Sequence, residues 1–225
     1  MLQILPSYKH IINPKLKYIY LSFDEDGGLI IKSPKVTQSQ IEKLLIKKAG
    51  WITKSRQKLL AKKGKSLRFE EGEEIYFMGE AFPLRLDISS HHKFSLNFTM
   101  QDGFSITTDS YDPDYFQQRL DRFYKMQALE IVPDLVEYYS AQMQLFPSKL
   151  SFRKAKTRWG SCSNKNSISL NYRMMKLPLD IIKYIIVHEL AHIEHKDHQK
   201  KFWQLVASIM PSYKAYENEL KTYHP

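Results

Sequence analysis

The sequence predicts a mixed α+β protein in two modules: a β-rich amino-terminal one over 1–110 with a single helix, and a carboxy-terminal one over 111–225. Three observations carry that expectation. Short strand-like runs separated by Gly and Asp turn chemistry recur between 8 and 108. From Asp112 onward helical periodicity takes over, opened by an Asp-Pro pair. Further on, the strongly apolar segment 181–192 carries two histidines four positions apart. With 225 residues, 43% of them hydrophobic, the chain has enough apolar material for a substantial core.

Residues 8–35 read as a hairpin: 16–23 has strand composition, Asp24-Glu25-Asp26-Gly27-Gly28 is turn chemistry, and 29–32 returns. Thr37 or Ser39 then caps a helix from about 39 to 62, with Ile41, Leu44, Leu45, Ala49 and Ile52 on its apolar side. Strands follow near 75–78, 82–88, 94–100 and 104–108, with Gly79 and Asp102-Gly103 at turns. His91 and His92, adjacent in a loop, are poorly placed to chelate one ion and read as solvent-exposed. Asp112 caps a long helix with Pro113 as its first residue and Phe116, Leu120, Phe123, Tyr124, Ala128 and Ile131 in register. Pro133 is expected to kink or divide it, because proline cannot donate to the helical ladder; a second piece runs to about 145.

Strands at 150–155 and 167–172 flank a turn built on Gly160-Ser161-Cys162-Ser163-Asn164. Pro178 opens the next helix, which Ile181, Ile182, Ile185 and Ile186 bury. A helix near 199–210 turns Phe202, Trp203, Val206 and Ala207 inward, Pro211 ends it, and 212–222 forms a last short one.

Charge is unevenly placed. Residues 1–66 hold 14 Lys/Arg against 4 Asp/Glu (+10), 67–112 hold 3 against 9 (−6), and 113–225 hold 17 against 11 (+6). Such polarity suits nucleic acid or an acidic partner. A solvated lysine-rich face is the favoured reading, since no base-reading motif accompanies it. No apolar run approaches the roughly 18 residues that span a bilayer, and the first residues lack a basic, signal-like pattern. The lone Cys162 excludes an internal disulfide and a multi-cysteine zinc ribbon, and reads as a small buried residue in a tight turn. A cytoplasmic protein is expected.

The chemistry concentrates in His188-Glu189-Leu190-Ala191-His192. At 3.6 residues per turn, His188 and His192 share one helical face, and two imidazoles one turn apart can hold one metal ion. Glu189 lies beside them, within reach of a metal-bound water. A catalytic site of this type needs a third protein ligand and an open position. On a straight helix His195 would lie roughly 10 Å along the axis from His188, too far to share an ion. His198 serves if the helix ends near Lys196-Asp197 and the chain folds back, although no glycine eases that reversal. The alternative third ligand is Glu217 or Glu219 from the last helix.

Arg158-Trp159-Gly160-Ser161-Cys162, then Ile168-Ser169-Leu170-Asn171-Tyr172-Arg173, the histidine motif, and Phe202-Trp203 follow in the order and spacing of a known family. Through these blocks the chain resembles the YgjP-like metallopeptidase family of metal-dependent hydrolases, relatives of the SprT-like and WLM proteases. The amino-terminal half resembles it more loosely, through Trp51-Ile52 and Tyr76-Phe77-Met78-Gly79. The resemblance implies a zincin-like carboxy-terminal domain with its metal helix packed under a small sheet. It also implies one Zn2+ on His188, His192 and His198, with Glu189 catalytic. The expected activity is zinc-dependent hydrolysis of an amide or peptide bond. Arg158 is a candidate stabiliser of a developing oxyanion or one half of a surface ion pair, and Trp159 a pocket wall or a core anchor. Two other readings stay open: a zinc hydrolase of a small-molecule or nucleotide-derived amide, and a nucleic-acid-associated protein with a structural or vestigial metal site.

Overall fold

The computed structural model describes residues 6–24, 27–60, 67–89 and 93–225. It is a mixed α+β structure of two compact units, Met1–Ser66 and Leu67–Pro225. The sequence places the division at 110/111; in the structure the units part earlier. The strands after Leu67 share one apolar core with the helices that follow, so Ile75, Leu84, Phe104 and Ile106 pack in the same cluster as Phe116 and Leu120.

In the first unit, β1 (Tyr8–Ile12), β2 (Tyr20–Phe23) and β3 (Leu29–Ser33) form a sheet in the order β1-β3-β2. The expected hairpin is β2–β3, antiparallel, with its first strand beginning at Tyr20 rather than 16. Its turn residues Glu25 and Asp26 lie outside the described residues. The sequence reading did not separate β1, which runs parallel to β3 and holds it through His10 Nε2 and Ser33 Oγ, 2.8 Å apart. Helix α1 (Gln38–Leu60) starts in a capping box: the Gln40 amide donates to Thr37 Oγ1 (3.3 Å) and the Thr37 amide to Gln40 Oε1 (2.9 Å). Thr37, not Ser39, is therefore the cap. Leu29, Ile31, Ile41, Leu45 and Ile52 make this unit's own core.

The second unit opens with β4 (Glu74–Phe77), β5 (Glu80–Ile88), β6 (Ser95–Thr99) and β7 (Gly103–Thr108), in the order β4-β5-β7-β6. The two central strands are parallel and the outer pairs antiparallel. Met78 and Gly79, at φ 51° and 86°, connect β4 to β5 with the positive φ pair that a two-residue hairpin turn needs. Their amides donate to the Met175 and Lys176 carbonyls (2.7 and 3.3 Å), and a Cβ on Gly79 would lie 2.7 Å from Pro178 Cα. The hairpin tip thus rests on the start of the helix that carries the histidines. His91 and His92 lie outside the described residues.

Helix α2 (Pro113–Met143) runs unbroken for 31 residues, so Pro133 does not divide it. Its buried stripe continues across the proline, from Tyr124 and Ala128 to Val132, Val136 and Tyr139. The carbonyl that Pro133 leaves without a helical donor belongs to Leu129, an exposed residue whose backbone water can serve. Tertiary burial outweighs one lost hydrogen bond. Gln144 closes the helix in the left-handed region, with φ 55°.

The next sheet departs from expectation. Strand β8 (Lys149–Arg153) runs parallel to β10 (Ser167–Asn171), and Gly160-Ser161-Cys162 is not a turn but the edge strand β9 (Gly160–Cys162), antiparallel to β10. The 154–159 crossover is pinned by Asn171 Nδ2, which donates to the Ala155 and Arg158 carbonyls (2.8 and 3.2 Å). A 3₁₀ turn (Tyr172–Lys176) leads into α3 (Leu179–Glu194), followed by α4 (Lys200–Ile209) and α5 (Tyr213–Leu220). Among the described residues no helix is long and apolar enough to cross a membrane.

A buried carboxylate ties these pieces together. Asp121 on α2 accepts from Arg173 Nε (2.8 Å) and Nη2 (3.2 Å) in the 3₁₀ turn and from Lys154 Nζ (2.9 Å) in the crossover. Burial raises its pKa, but the hydrogen bonds from Arg173 and Lys154, and their charges, outweigh that and hold it below the usual carboxylate value. Asp121→Asn should cost about 3 kcal/mol near neutral pH, mostly from the unpaired Arg173, since Lys154 is half exposed. A depressed pKa stabilises the fold above the unfolded value of about 3.9 and loses that contribution as pH falls through the lower folded value. Denaturant melts of both proteins at several pH values should therefore converge below about pH 4.

Candidate metal centre

Helix α3 is apolar on nearly every side: Ile181, Ile182, Ile185, Ile186, Val187, Leu190 and Ala191 are buried. His188, Glu189 and His192 interrupt that surface and face a single opening of about 400 Å3, lined also by Arg158, Gly160, Ser161, Cys162, Asn164, Lys196 and His198. The structure brings His188, His192 and His198 together, with one ring nitrogen from each within 4.8 Å of the others. His195 is left out. It caps the helix, its amide donates to the Ala191 carbonyl, and its ring lies 3.6 Å from the Glu194 carboxylate. Glu217 and Glu219 are also outside the cluster, engaged with Lys221 (2.9 Å) and the Tyr223 hydroxyl (3.3 Å).

The reversal that delivers His198 is made without glycine. His195 adopts an extended conformation (φ −117°, ψ 105°), and Asp197 Oδ1 accepts from the Gln199 amide at 3.1 Å. Lys196 anchors the loop to the β9–β10 hairpin, donating to Asn166 Oδ1 (2.6 Å) and the Ser163 carbonyl (3.2 Å). Phe202, fully buried on α4, packs against all three imidazoles, with ring centroids 5.0, 4.6 and 4.8 Å away. Trp203 stacks on His198 at 5.6 Å and on Tyr213 at 5.2 Å. Phe202 and Trp203, expected to face inward, thus pack on two sides of His198.

The donor set suits a divalent cation. His192 Nδ1 lies 2.9 Å from the His195 carbonyl, which only accepts, so Nδ1 carries the proton and the Nε2 lone pair is free. The buried Tyr184 hydroxyl lies 3.5 Å from His188 Nδ1, on the ring edge away from the cluster. His188 Nε2 and His198 Nε2 are 3.1 Å apart. Two nitrogens bound at about 2.0–2.1 Å to one tetrahedral ion stand roughly 3.3 Å apart, so the pair is already spaced for a shared ion. Burial, with the neighbouring His192 and His198, pushes the His188 pKa down to about 3, and burial lowers His192 as well. Both imidazoles are therefore neutral, the form that binds metal.

Glu189 is 6% exposed, and its Oε2 has no hydrogen-bond partner. Burial pushes its pKa up to about 7, against the opposing charge of Arg158. The β9 edge crosses directly over it: a Cβ on Gly160 would lie 2.5 Å from Glu189 Oε1. Gly160 is expected in a turn; its place is instead a close approach to Glu189 that a side chain would crowd. Trp159 is buried in the core, which supports its anchor reading, and it does not line the opening. Arg158 does line it, and makes no ion pair with a described carboxylate. Cys162 also lines it, from a strand rather than a tight turn. The sequence reading missed Lys196 and Asn166; both are ordinary surface residue types, and only the folded loop gives them a role.

The chain belongs to the YgjP-like family: the model of its metallopeptidase domain matches residues 17–223. The membership supports a metal-dependent hydrolase, and a divalent metal is what that class implies. Among curated proteins, the chain is similar to the UTP pyrophosphatase of Escherichia coli (strain K12), 30% identical over 77 residues, which cover 33% of this chain and 46% of that protein. The chain thus aligns with under half of that relative's length. Among solved structures it is similar to the metallopeptidase zymogen abylysin of Pyrococcus abyssi (26% identity, TM-score 0.39, 41% of this chain and 93% of that one). It is also similar to the zymogen jannalysin of Methanocaldococcus jannaschii (25% identity, TM-score 0.36, 40% and 91%).

Gly160→Ala should fold but lose about 1–3 kcal/mol, the usual cost of overpacking a site that cannot yield. Chemical denaturation measures it, and Glu189→Ala in the same chain should recover most of the loss by removing the clashing carboxylate.

Proposed function

We propose that this chain is a zinc-dependent hydrolase of amide or peptide bonds, in which His188, His192 and His198 hold one Zn2+ and Glu189 is the general base. The observation that carries the reading is the convergence of three imidazole nitrogens beside a buried carboxylate with an unpartnered oxygen. An ion held there supplies Lewis acidity, polarising a carbonyl and making water acidic enough to ionise near neutral pH.

The chain's own residues do the rest. Glu189 takes the proton of the attacking water and passes it to the leaving nitrogen; a pKa of about 7 suits both transfers. Arg158, on the pocket wall, faces negative charge that develops on the substrate. Strand β9 has β10 on one side only, so its free edge can pair with the backbone of an extended peptide. The reading includes a zincin-like layout and a cytoplasmic setting.

A second reading keeps this machinery and exchanges the substrate for a small anionic molecule such as a nucleotide. Two cations, Arg158 and Lys196, in an opening of about 400 Å3 favour it, and the name of the partial relative from Escherichia coli points the same way.

Glu189→Gln should bind one zinc per chain like the parent while turnover falls by about 10²–10⁴-fold, the range of a lost general base. Hydrolysis at the parental rate in this variant would remove Glu189 from the mechanism. His188→Ala, His192→Ala and His198→Ala should each abolish stoichiometric zinc in metal analysis of dialysed protein, whereas His195→Ala should retain it.

A further inference from the structure

We infer that Lys196, assisted by Arg158, holds a permanent anionic group of the substrate, a phosphate or a carboxylate. The inference rests on the hydrolase reading and names the substrate class for it. It starts from charge. Between Lys149 and Lys176 the chain carries eight lysines and arginines and no aspartate or glutamate. Asp121 neutralises two of them, Lys154 and Arg173. That acid-free stretch supplies Arg158, Ser161, Cys162 and Asn164 to the wall of the opening, and Lys196 adds a further cation from the loop between His192 and His198. Glu189 is the one carboxylate among the lining residues. A divalent ion on the histidines would add two positive charges to the same space. A neutral amide gains nothing from that field, whereas an anion is drawn in and oriented by it.

The placement of Lys196 is the second observation. Its ammonium has three donors; the Asn166 amide oxygen (2.6 Å) and the Ser163 carbonyl (3.2 Å) take two, and Cys162 Sγ at 3.9 Å is a weak third contact. All three partners are uncharged, so the loop fixes the position of the cation without cancelling its charge. No described carboxylate lies within ion-pair distance of Lys196 or Arg158. Ser161 lines the same opening, with its Oγ held at 2.9 Å by Arg153, and Asn164 adds an amide. Hydroxyl and amide donors beside two cations complement the oxygens of a phosphate or carboxylate. Because Lys196 lies between two of the histidines in sequence and shares their pocket, the anion it holds belongs to the part of the substrate next to the scissile bond.

Calorimetric titration of the metal-free protein with inorganic pyrophosphate isolates the side chains from any ion. The parent should bind with salt-sensitive affinity. Lys196→Gln should weaken binding at least about tenfold and Lys196→Arg should restore it, as one charge-assisted contact implies. With the zinc-loaded enzyme, peptides differing only in a free or amidated carboxy-terminus, and a nucleoside triphosphate, separate the two sources of the anion. In Lys196→Gln, KM should rise about tenfold more for whichever anionic substrate is turned over than for the amidated peptide, with zinc content retained and the difference erased in Lys196→Arg. Loss of zinc, or an equal loss on charged and neutral substrates, would make Lys196 a loop anchor only and overturn the inference. Unchanged pyrophosphate affinity in Lys196→Gln would do the same while leaving the hydrolase reading intact. Lys196-dependent pyrophosphate binding without turnover of any substrate would keep the anion site and end the hydrolase reading.

Discussion

Helix α3 has to be buried on nearly every side and still present two histidines and a glutamate to one opening. The surrounding structure is arranged to meet that demand. The β4–β5 hairpin tip rests on its first turn, with Gly79 against Pro178. Strand β9 crosses Glu189 at the one position, Gly160, where no side chain intervenes. Phe202 closes the back of the three imidazoles. Removal of water then sets the electrostatics. Burial keeps His188 neutral, with a pKa of about 3, and carries Glu189 up to about 7. The same desolvation makes the imidazoles ready ligands and the carboxylate a ready proton acceptor.

The third histidine is held by a different kind of work. Nothing in the local sequence favours a sharp reversal after Glu194, yet His198 Nε2 comes within 3.1 Å of His188 Nε2. The reversal depends on contacts remote in sequence: Lys196 on the β9–β10 turn, and Trp203 stacked between His198 and Tyr213. These contacts couple the sheet, α4 and α5 to the geometry of the cluster. The Asp121 network serves the sheet itself, joining α2 to the crossover that leads into β9. Lys196 has two jobs in this scheme, since the amide and carbonyl groups that fix its position leave its charge facing the opening.

Several elements were legible because their signals are local. The Asp112-Pro113 helix start, the helix containing His188 and His192, and the Gly79 and Gly103 turns follow from capping, periodicity and positive φ. Others were not, because they depend on pairing between distant segments. Strand β1 is defined by its parallel partner β3, and no short pattern announces it; β8 is expected as a strand, but its parallel pairing with β10 is not. Gly160 and Cys162 carry turn-like composition, yet they form an edge strand through antiparallel pairing with β10, and Gly160 leaves bare backbone over Glu189. Pro133 shows the reverse case: a strong local breaker overridden by a buried stripe that continues past it.

By itself the sequence determined which residues could share one face of a helix, because 3.6 residues per turn places His188 and His192 side by side in any fold. It also determined the family, through blocks of residues that keep their order and spacing. Only the tertiary structure placed His198, and not the glutamates of α5, beside His188 and His192, since that placement turns on a chain reversal stabilised from elsewhere. It likewise decided that the opening is lined by cations, because Arg158 and Lys196 stand 38 positions apart in the chain and meet only when β9 is laid over α3.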